Sequence, residues 1–294
     1  MDKLRLEPTA ALVMQWSLKL YKEEPVLRFI NQLDLSSGKN LYDKCHSVCD
    51  WYDEVILNRK SFIKHLIDQE LSIAKQEHQL VFLAAGKSPL SIEILLRHTS
   101  KVHRIFEIDI SGMQEKQKLY SGLYPEFLGK IQCIDADITS PDFLDILDRL
   151  QIGFRHDIPT IILMEGMSYY LRRYELKNII VNFRGEADSI FIVEYLVPLQ
   201  RVIRSRRFIP GDIFKIIRKD CGLDGITSYT KEELMELFQE IGGNLINSYS
   251  MADMELVRTG ANTYFKKPND GWIECIVSKV GTHNVLKHTM KIRF

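Results

Sequence analysis

The spacing of apolar positions changes near residue 80 of this 294-residue chain. Before that point, residues such as Ala11, Leu12 and Trp16 recur at short helical steps, which predicts amphipathic helices. After it, short apolar runs alternate with amphipathic segments, which predicts strands alternating with helices. We therefore expect a helical cap over residues 1–79 and an α/β core over residues 80–294.

Seven apolar runs of the core are predicted to be strands. Their ranges are 80–85, 104–109, 131–137, 160–165, 189–196, 244–250 and 272–280. Predicted helices follow at 90–98, 112–119, 141–150, 172–183, 203–219 and 231–241. The first five strands alternate with helices, as in a parallel sheet covered on both faces, and the last two are expected to close one edge. The prediction is a doubly wound, mostly parallel seven-stranded sheet with an N-terminal helical cap.

Small or acidic residues lie at the ends of four consecutive predicted strands. They are Ala84, Ala85 and Gly86, then Glu107 and Asp109, then Asp137, and finally Glu165. The carboxyl ends of parallel strands form the ligand-binding edge of such a sheet. Glu107 and Asp109 follow Gly86 by about twenty residues, the interval typical of an acid that binds a ribose. Helix capping explains each acid equally well alone, but together they favour an adenosine-containing ligand, either NAD or S-adenosylmethionine.

The turn after the first core strand discriminates between NAD and S-adenosylmethionine. It reads AAGKSP over residues 84–89 and lacks the Gly-x-Gly-x-x-Gly spacing. A pyrophosphate is bound by free backbone N–H groups at a helix N-terminus, and Pro89 removes one of them. NAD is therefore disfavoured relative to S-adenosylmethionine, whose amino-acid end needs a close backbone approach and a cation for its carboxylate.

Charge and cysteine content narrow the classes of partner. The chain has 39 basic and 39 acidic residues, so its net charge gives no reason to expect nucleic acid. No apolar run approaches the roughly 20 residues of a membrane span, and the N-terminus MDKLRLEPTA does not look like a secretory signal. A cytoplasmic location is therefore predicted. Cys45, His46 and Cys49 lack a second ligand pair, so no metal is predicted.

Several ordered segments carry a resemblance to a known family. VFLAAG, IFEID, IDADITSPDFLDIL and PTIILMEGMSYYL occur in this order, and CGLDGI and MADMELV follow. Over about residues 59–257 the chain resembles the leucine carboxyl methyltransferase family, which implies a Rossmann-like class I methyltransferase with S-adenosylmethionine as cofactor. One departure is that Ala84 stands at the family's first turn glycine, while Ser88 and Pro89 replace its Asp-Thr.

The resemblance also implies roles for individual residues. Tyr170 would lie near the transferred methyl group, so Tyr170 and Glu165 are the catalytic candidates. The implied cofactor residues are Arg59 at the methionine carboxylate, Ala84, Ala85 and Gly86 in the turn, Glu107 and Asp109 at the ribose, Asp137 and Ile138 at the adenine, and Glu165 at the amino-acid end.

The chemistry of the acceptor is predicted from the absence of an obvious base. A carboxylate with a pKa near ~4 is ionised at neutral pH and needs no general base. His103 and His156 do not lie at a predicted strand end, and we expect both to be structural or exposed. A carboxylate acceptor would be held by a cationic clamp. The candidate substrate residues are Tyr169, Tyr170, Arg172, Arg173 and Arg204.

The leading hypothesis is a carboxyl or other O-methyltransferase that acts on a small metabolite or a protein C-terminus. Three alternatives stay open: N-methylation or cyclisation with the same cofactor, a non-catalytic binding module, and an NAD-dependent oxidoreductase. The N-terminal helices are expected to form a lid over the acceptor. The sequence leaves open which acceptor is used and the oligomeric state.

Overall fold

A computed structural model describes residues 3–140, 143, 153–183, 187–222 and 225–281 of the chain. In it, the apolar runs of the core form the strands of one sheet. The strands are β1 (Leu4–Arg5), β2 (Leu33–Asp34), β3 (His78–Leu83), β4 (Val102–Asp109), β5 (Ile131–Asp135), β6 (Thr160–Met164), β7 (Ser189–Leu196), β8 (Gly243–Tyr249) and β9 (Ile273–Val280). The α-helices are α1 (Pro8–Ser17), α2 (Glu24–Ile30), α3 (Lys39–Val48), α4 (Asp53–Ile73), α5 (Leu90–His98), α6 (Met113–Leu123), α7 (Arg173–Asn182), α8 (Phe208–Cys221), α9 (Lys231–Glu240) and α10 (Met251–Thr259).

The main sheet has the strand order β5-β4-β3-β6-β7-β9-β8. From β3 the chain runs outward to β4 and β5, then returns to β6 on the other side of β3. The carboxyl ends of β3 and β6 therefore flank the point where the winding reverses, which is where such sheets bind ligands. β9 is antiparallel to both β7 and β8, so the last two strands close one edge. This arrangement confirms the predicted doubly wound, mostly parallel seven-stranded sheet.

Two strands end two residues earlier than their apolar runs predict. β3 ends at Leu83 because Ala84 adopts a positive φ of 51°, which extended backbone cannot have. β5 ends at Asp135, and the Asp137 carboxylate then accepts hydrogen bonds from the Thr139 N–H and hydroxyl at 2.9 and 2.7 Å. This local turn competes with strand pairing. The predicted helix over 141–150 lies outside the described residues, apart from Phe143.

The N-terminal residues form four helices and the short parallel pair of β1 and β2. Two-residue strands are too short to give a period-2 signal, which explains why the sequence pattern did not predict them. The longest helix, α4, packs against α1, α5 and α10. Buried side chains of the cap such as Ala11 and Ile67 belong to the same apolar cluster as Leu80 of the sheet. The cap therefore packs directly on the core.

Candidate active site

A cavity of about 250 Å³ lies at the carboxyl ends of β3, β4 and β6. Its charged lining residues come from these strand ends, from the turn after β3 and from α4, and α1 and α8 contribute seven of its apolar lining residues. The predicted site residues that line it are Arg59, Ala84, Ala85, Gly86, Glu107, Asp109, Glu165, Tyr169 and Tyr170. The fold thus brings together residues that are more than a hundred positions apart in sequence.

A buried ion-pair cluster forms where α4 meets the end of β6. Arg59 lies on the buried face of α4, one turn after Ile56, and is only 4% exposed. Its Nη2 and the Nζ of Lys60 each lie 3.0 Å from Oε1 of Glu165. Burial alone would raise the pKa of Glu165, but the charges of Lys60 and Arg59 lower it below the usual value. Glu165 is therefore ionised at neutral pH.

Glu194 of β7 completes this cluster from the neighbouring strand. It is fully buried, lies 3.7 Å from Arg59 Nη1 and accepts a hydrogen bond from the Gly166 N–H at 2.6 Å. The Tyr169 hydroxyl donates to the same carboxylate at 3.4 Å. Burial raises the pKa of Glu194, although Arg59 and the Gly166 N–H lower it in part. Arg59 is consequently held between two carboxylates.

The turn after β3 is tied to the end of β4 by backbone and side-chain contacts. The Gly86 N–H donates to Asp109 Oδ2 at 2.8 Å, and the Ala85 N–H donates to the Ile108 carbonyl at 3.1 Å. Lys87 reaches across the turn and donates to the Gly112 carbonyl. These contacts hold Asp109 beside the turn, which places a half-buried carboxylate at the cavity edge.

Ala84 is the strained residue of this turn, because it is the only non-glycine residue with positive φ in the described parts of the chain. A left-handed conformation costs an L-residue about 1–2 kcal/mol, whereas glycine costs about 0.5–1 kcal/mol of backbone entropy. We expect Ala84→Gly to raise the free energy of unfolding in urea by about 0.5–1 kcal/mol. The matched variant Ala85→Gly should lower it by a similar amount. Equal losses in both variants would contradict this explanation.

Glu107 lines the cavity at the end of β4, but its carboxylate is occupied by contacts inside the protein. Its side chain is 1% exposed, and its oxygens contact the Lys116 ammonium at 2.8 Å and accept hydrogen bonds from Ser91 and Tyr120 at 2.5 and 3.0 Å. Cys133 Sγ lies 3.5 Å from the same carboxylate. Lys116 is itself fully buried and donates to the Gly86 carbonyl at 2.9 Å. Glu107 therefore supports the turn after β3 through Lys116, and its oxygens have no further capacity to accept hydrogen bonds.

The remaining predicted cofactor residues lie outside the cavity lining. Asp137 is exposed and Ile138 is half-buried in the loop after β5. Because β5 is the neighbour of β4, this loop lies next to the strand end that carries Asp109. The structure therefore places both residues on the same sheet edge as the cavity.

The predicted cationic clamp does not reach the cavity. Arg172 pairs with Glu175 at 2.6 Å on the surface, and Arg173 pairs with Glu240. Arg204 is exposed at the start of the segment before α8. None of the three lines the cavity, so the structure brings no support for them as substrate ligands.

The two tyrosines after β6 face the cavity with different exposure. Tyr169 is buried, whereas Tyr170 is 41% exposed, and the two rings meet edge to face at 5.1 Å. Burial, together with Glu194, holds the pKa of Tyr169 well above its ordinary value. Burial raises the pKa of Tyr170 to about 12. Both phenols are therefore protonated at neutral pH and act as hydrogen-bond donors rather than as bases.

The other residues singled out in the sequence have structural surroundings. Cys45 of α3 and Cys49, the residue after this helix, are buried, while the exposed His46 ring stacks on Tyr42. In the described parts of the chain, no group of three His, Cys, Asp or Glu side chains could hold a metal ion. His103 lies 3.6 Å from Glu77, and it does not line the cavity.

Sequence reasoning missed four charged residues around this site. Lys60, Lys116 and Glu194 contact predicted site residues, and Lys87 lines the cavity. Glu194 had a signal, because it is the only acid in the apolar strand SIFIVEYL. Nothing in the sequence marked the three lysines, since a lysine in a helix or turn is usually solvated.

The fold and the site together define a Rossmann-like class I methyltransferase architecture, and comparisons with known proteins agree. The profile of the leucine carboxyl methyltransferase family matches residues 26–184, more than half of the chain. The chain therefore belongs to the leucine carboxyl methyltransferase family. It is an S-adenosylmethionine-dependent methyltransferase, and the predicted cofactor is confirmed. No curated protein sequence matches it significantly.

Two crystal structures share the fold over nearly their whole length. A protein from Thermobifida fusca YX, provisionally described as a methyltransferase, has a TM-score of 0.68 and 14% identity over 94% of this chain and 96% of its own. A DUF574 family protein from Streptomyces avermitilis MA-4680 has a TM-score of 0.63 and 13% identity over 93% and 97%. At these identities the likeness shows the fold alone.

The donors and acceptors of the cavity fit the methionine end of S-adenosylmethionine. The Arg59 Nε–H is buried and has no hydrogen-bond partner in the described part of the chain, so it is able to donate to the carboxylate of a ligand. Glu165 supplies an ionised acceptor for an ammonium group. Asp109 accepts one backbone N–H on each oxygen, from Gly86 and Ile110, and a carboxylate has about four acceptor sites, which leaves capacity for ribose hydroxyls.

Proposed function

We propose that this enzyme transfers the methyl group to a carboxylate oxygen of its acceptor. The supporting observation is that the described residues lining the cavity include no histidine, and its two tyrosines at the end of β6 stay protonated. The ion-paired Glu165, whose pKa is lowered, is a weak base. A hydroxyl acceptor would need a general base, whereas a carboxylate with a pKa near ~4 is already ionised.

Four charged residues of the cavity have roles in this proposal. Arg59 binds the methionine carboxylate through its unpaired Nε–H, Glu165 binds the ammonium group, and Asp109 binds the ribose hydroxyls. Asp137 and Ile138 are the proposed adenine contacts on the neighbouring strand end. Glu107 supports the turn and does not meet the ribose, because its oxygens are occupied by internal donors.

The reaction needs positioning and removal of water rather than proton transfer. When bound, S-adenosylmethionine supplies an electrophilic methyl carbon, which gains a bond to the acceptor oxygen while its bond to sulfur breaks and leaves the electron pair on sulfur. The half-exposed Tyr170 donates a hydrogen bond that orients the acceptor carboxylate. The apolar walls from α1 and α8 exclude water, which favours the attack geometry.

The chemical stability of the product tests this proposal. The full chain is incubated with methyl-labelled S-adenosylmethionine and a mixture of small carboxylic acids, and the products are treated with base. We expect label that is released as volatile methanol, because base hydrolyses methyl esters. Label that stays with the product after base treatment would show an ether or N-methyl product and would contradict the carboxylate proposal.

The cysteines support the cytoplasmic location that the sequence predicts. All five are free, and four of them are buried. Unpaired buried thiols are typical of a reducing compartment. In the described parts of the chain, no helix combines the length and apolarity that a bilayer span requires.

A further inference from the structure

The cavity is divided chemically between the elements that line it. Every charged lining residue comes from α4, from a strand end or from the turn after β3. The lining residues from α1 and α8 are apolar apart from Thr9, and they include Ala10, Val13, Phe214 and Ile217. The side of the cavity formed by α1 and α8 is therefore apolar apart from Thr9.

The three cationic side chains that line the cavity all have protein partners on the proposed cofactor side. Arg59 and Lys60 both pair with Glu165, and Lys87 donates to the Gly112 carbonyl. No further lysine or arginine lines the cavity among the described residues. A charged group placed against α1 or α8 would therefore be desolvated without a partner, which is strongly unfavourable.

From this division we infer that the acceptor is a monocarboxylic acid with an apolar hydrocarbon body, which lies against Val13 of α1 and Phe214 and Ile217 of α8. The inference rests on the proposed carboxyl methylation and specifies its substrate class. The single carboxylate is the reacting group and becomes a neutral ester, so the rest of the acceptor carries no charge into the apolar half. A second carboxylate would remain buried and unpaired.

Octanoate and octanedioate form a matched pair of probes, since they share chain length and differ in the second carboxylate. Calorimetric titration of the full chain, saturated with S-adenosylhomocysteine, measures the binding of each. We expect octanoate to bind at least about ten-fold more tightly, a difference of about 1.4 kcal/mol. Octanedioate binding as tightly as octanoate, or no binding of octanoate, would overturn the inference.

A substitution in the cavity wall tests the position of the acceptor independently. Val13→Phe fills space on the α1 wall and should weaken octanoate binding at least about ten-fold, which corresponds to ~1.4 kcal/mol, while the affinity for S-adenosylhomocysteine stays unchanged. The matched control is Val181→Phe, at an exposed position of α7 outside the cavity lining. We expect it to change neither affinity. Unchanged octanoate affinity in Val13→Phe would contradict the assignment of the acceptor to this wall.

The two proposals fail in distinguishable ways. An absence of S-adenosylhomocysteine binding to the unmodified chain would overturn the cofactor site and with it the proposed reaction. Base-stable label on an acid would overturn carboxyl methylation, and with it the acceptor class that rests on that reaction, while leaving the cofactor site in place. Tight cofactor binding together with a preference for octanedioate would overturn only the apolar acceptor class.

Discussion

Replacing Lys116 by methionine is expected to lower the free energy of unfolding by about 3–5 kcal/mol. Lys116 and Glu107 are buried together at 2.8 Å, with side-chain exposures of 0% and 1%. Methionine fits the apolar stem of lysine, but it leaves the Glu107 carboxylate buried without its countercharge. Urea unfolding of the full chain measures the loss.

Two further variants separate the ion pair from other effects of the substitution. Lys118→Met changes an exposed lysine of the same helix and should shift the unfolding free energy by less than about 0.5 kcal/mol. The double variant Glu107→Gln with Lys116→Met removes both charges, and we expect it to recover more than half of the loss. A Lys116→Met variant as stable as Lys118→Met would show that the pair does not support the turn.

Replacing Arg59 by lysine is expected to weaken the binding of S-adenosylhomocysteine by about 10- to 150-fold, which corresponds to ~1.5–3 kcal/mol for a lost hydrogen bond to a charged group. Lysine keeps the positive charge between Glu165 and Glu194, so the cluster stays neutralised and the chain stays folded. It loses the Nε–H, the buried donor that has no partner in the described part of the chain.

Arg172→Lys is the matched control for this titration. Arg172 is a surface arginine whose guanidinium pairs with Glu175, and it does not line the cavity. Calorimetry should therefore give the unmodified affinity for this variant. Unchanged affinity in a folded Arg59→Lys variant would mean that Arg59 does not hold the methionine carboxylate.

The fold could be predicted from local pattern because apolar runs and amphipathic segments alternate clearly after residue 80. The same alternation predicts a mostly parallel sheet that is covered on both faces, with the last two strands at one edge. The pattern could not predict how the chain turns after each strand. The left-handed conformation of Ala84 and the turn at Asp137 depend on specific backbone contacts. Those contacts decide which residues reach the cavity.

A site residue could be predicted from sequence only where the strand pattern fixes its place in the fold. Asp109 ends β4 and Glu165 follows β6, so their position on the ligand edge could be predicted from the strand pattern. Arg59 was placed by family resemblance, because nothing local marks one arginine on a long helix. The Arg172 and Arg173 clamp was inferred from nearness in sequence to the fourth strand, yet carboxylates of α7 and α9 bind both on the surface.

The most direct test of the account is a crystal structure of the full chain with S-adenosylhomocysteine. We predict that its carboxylate lies about 3 Å from Arg59 Nε, a hydrogen-bond distance, with its ammonium at Glu165 and its ribose hydroxyls at Asp109. A ligand bound elsewhere, or one that leaves the Arg59 Nε–H without an acceptor, would contradict the assignment of this cavity as the cofactor site.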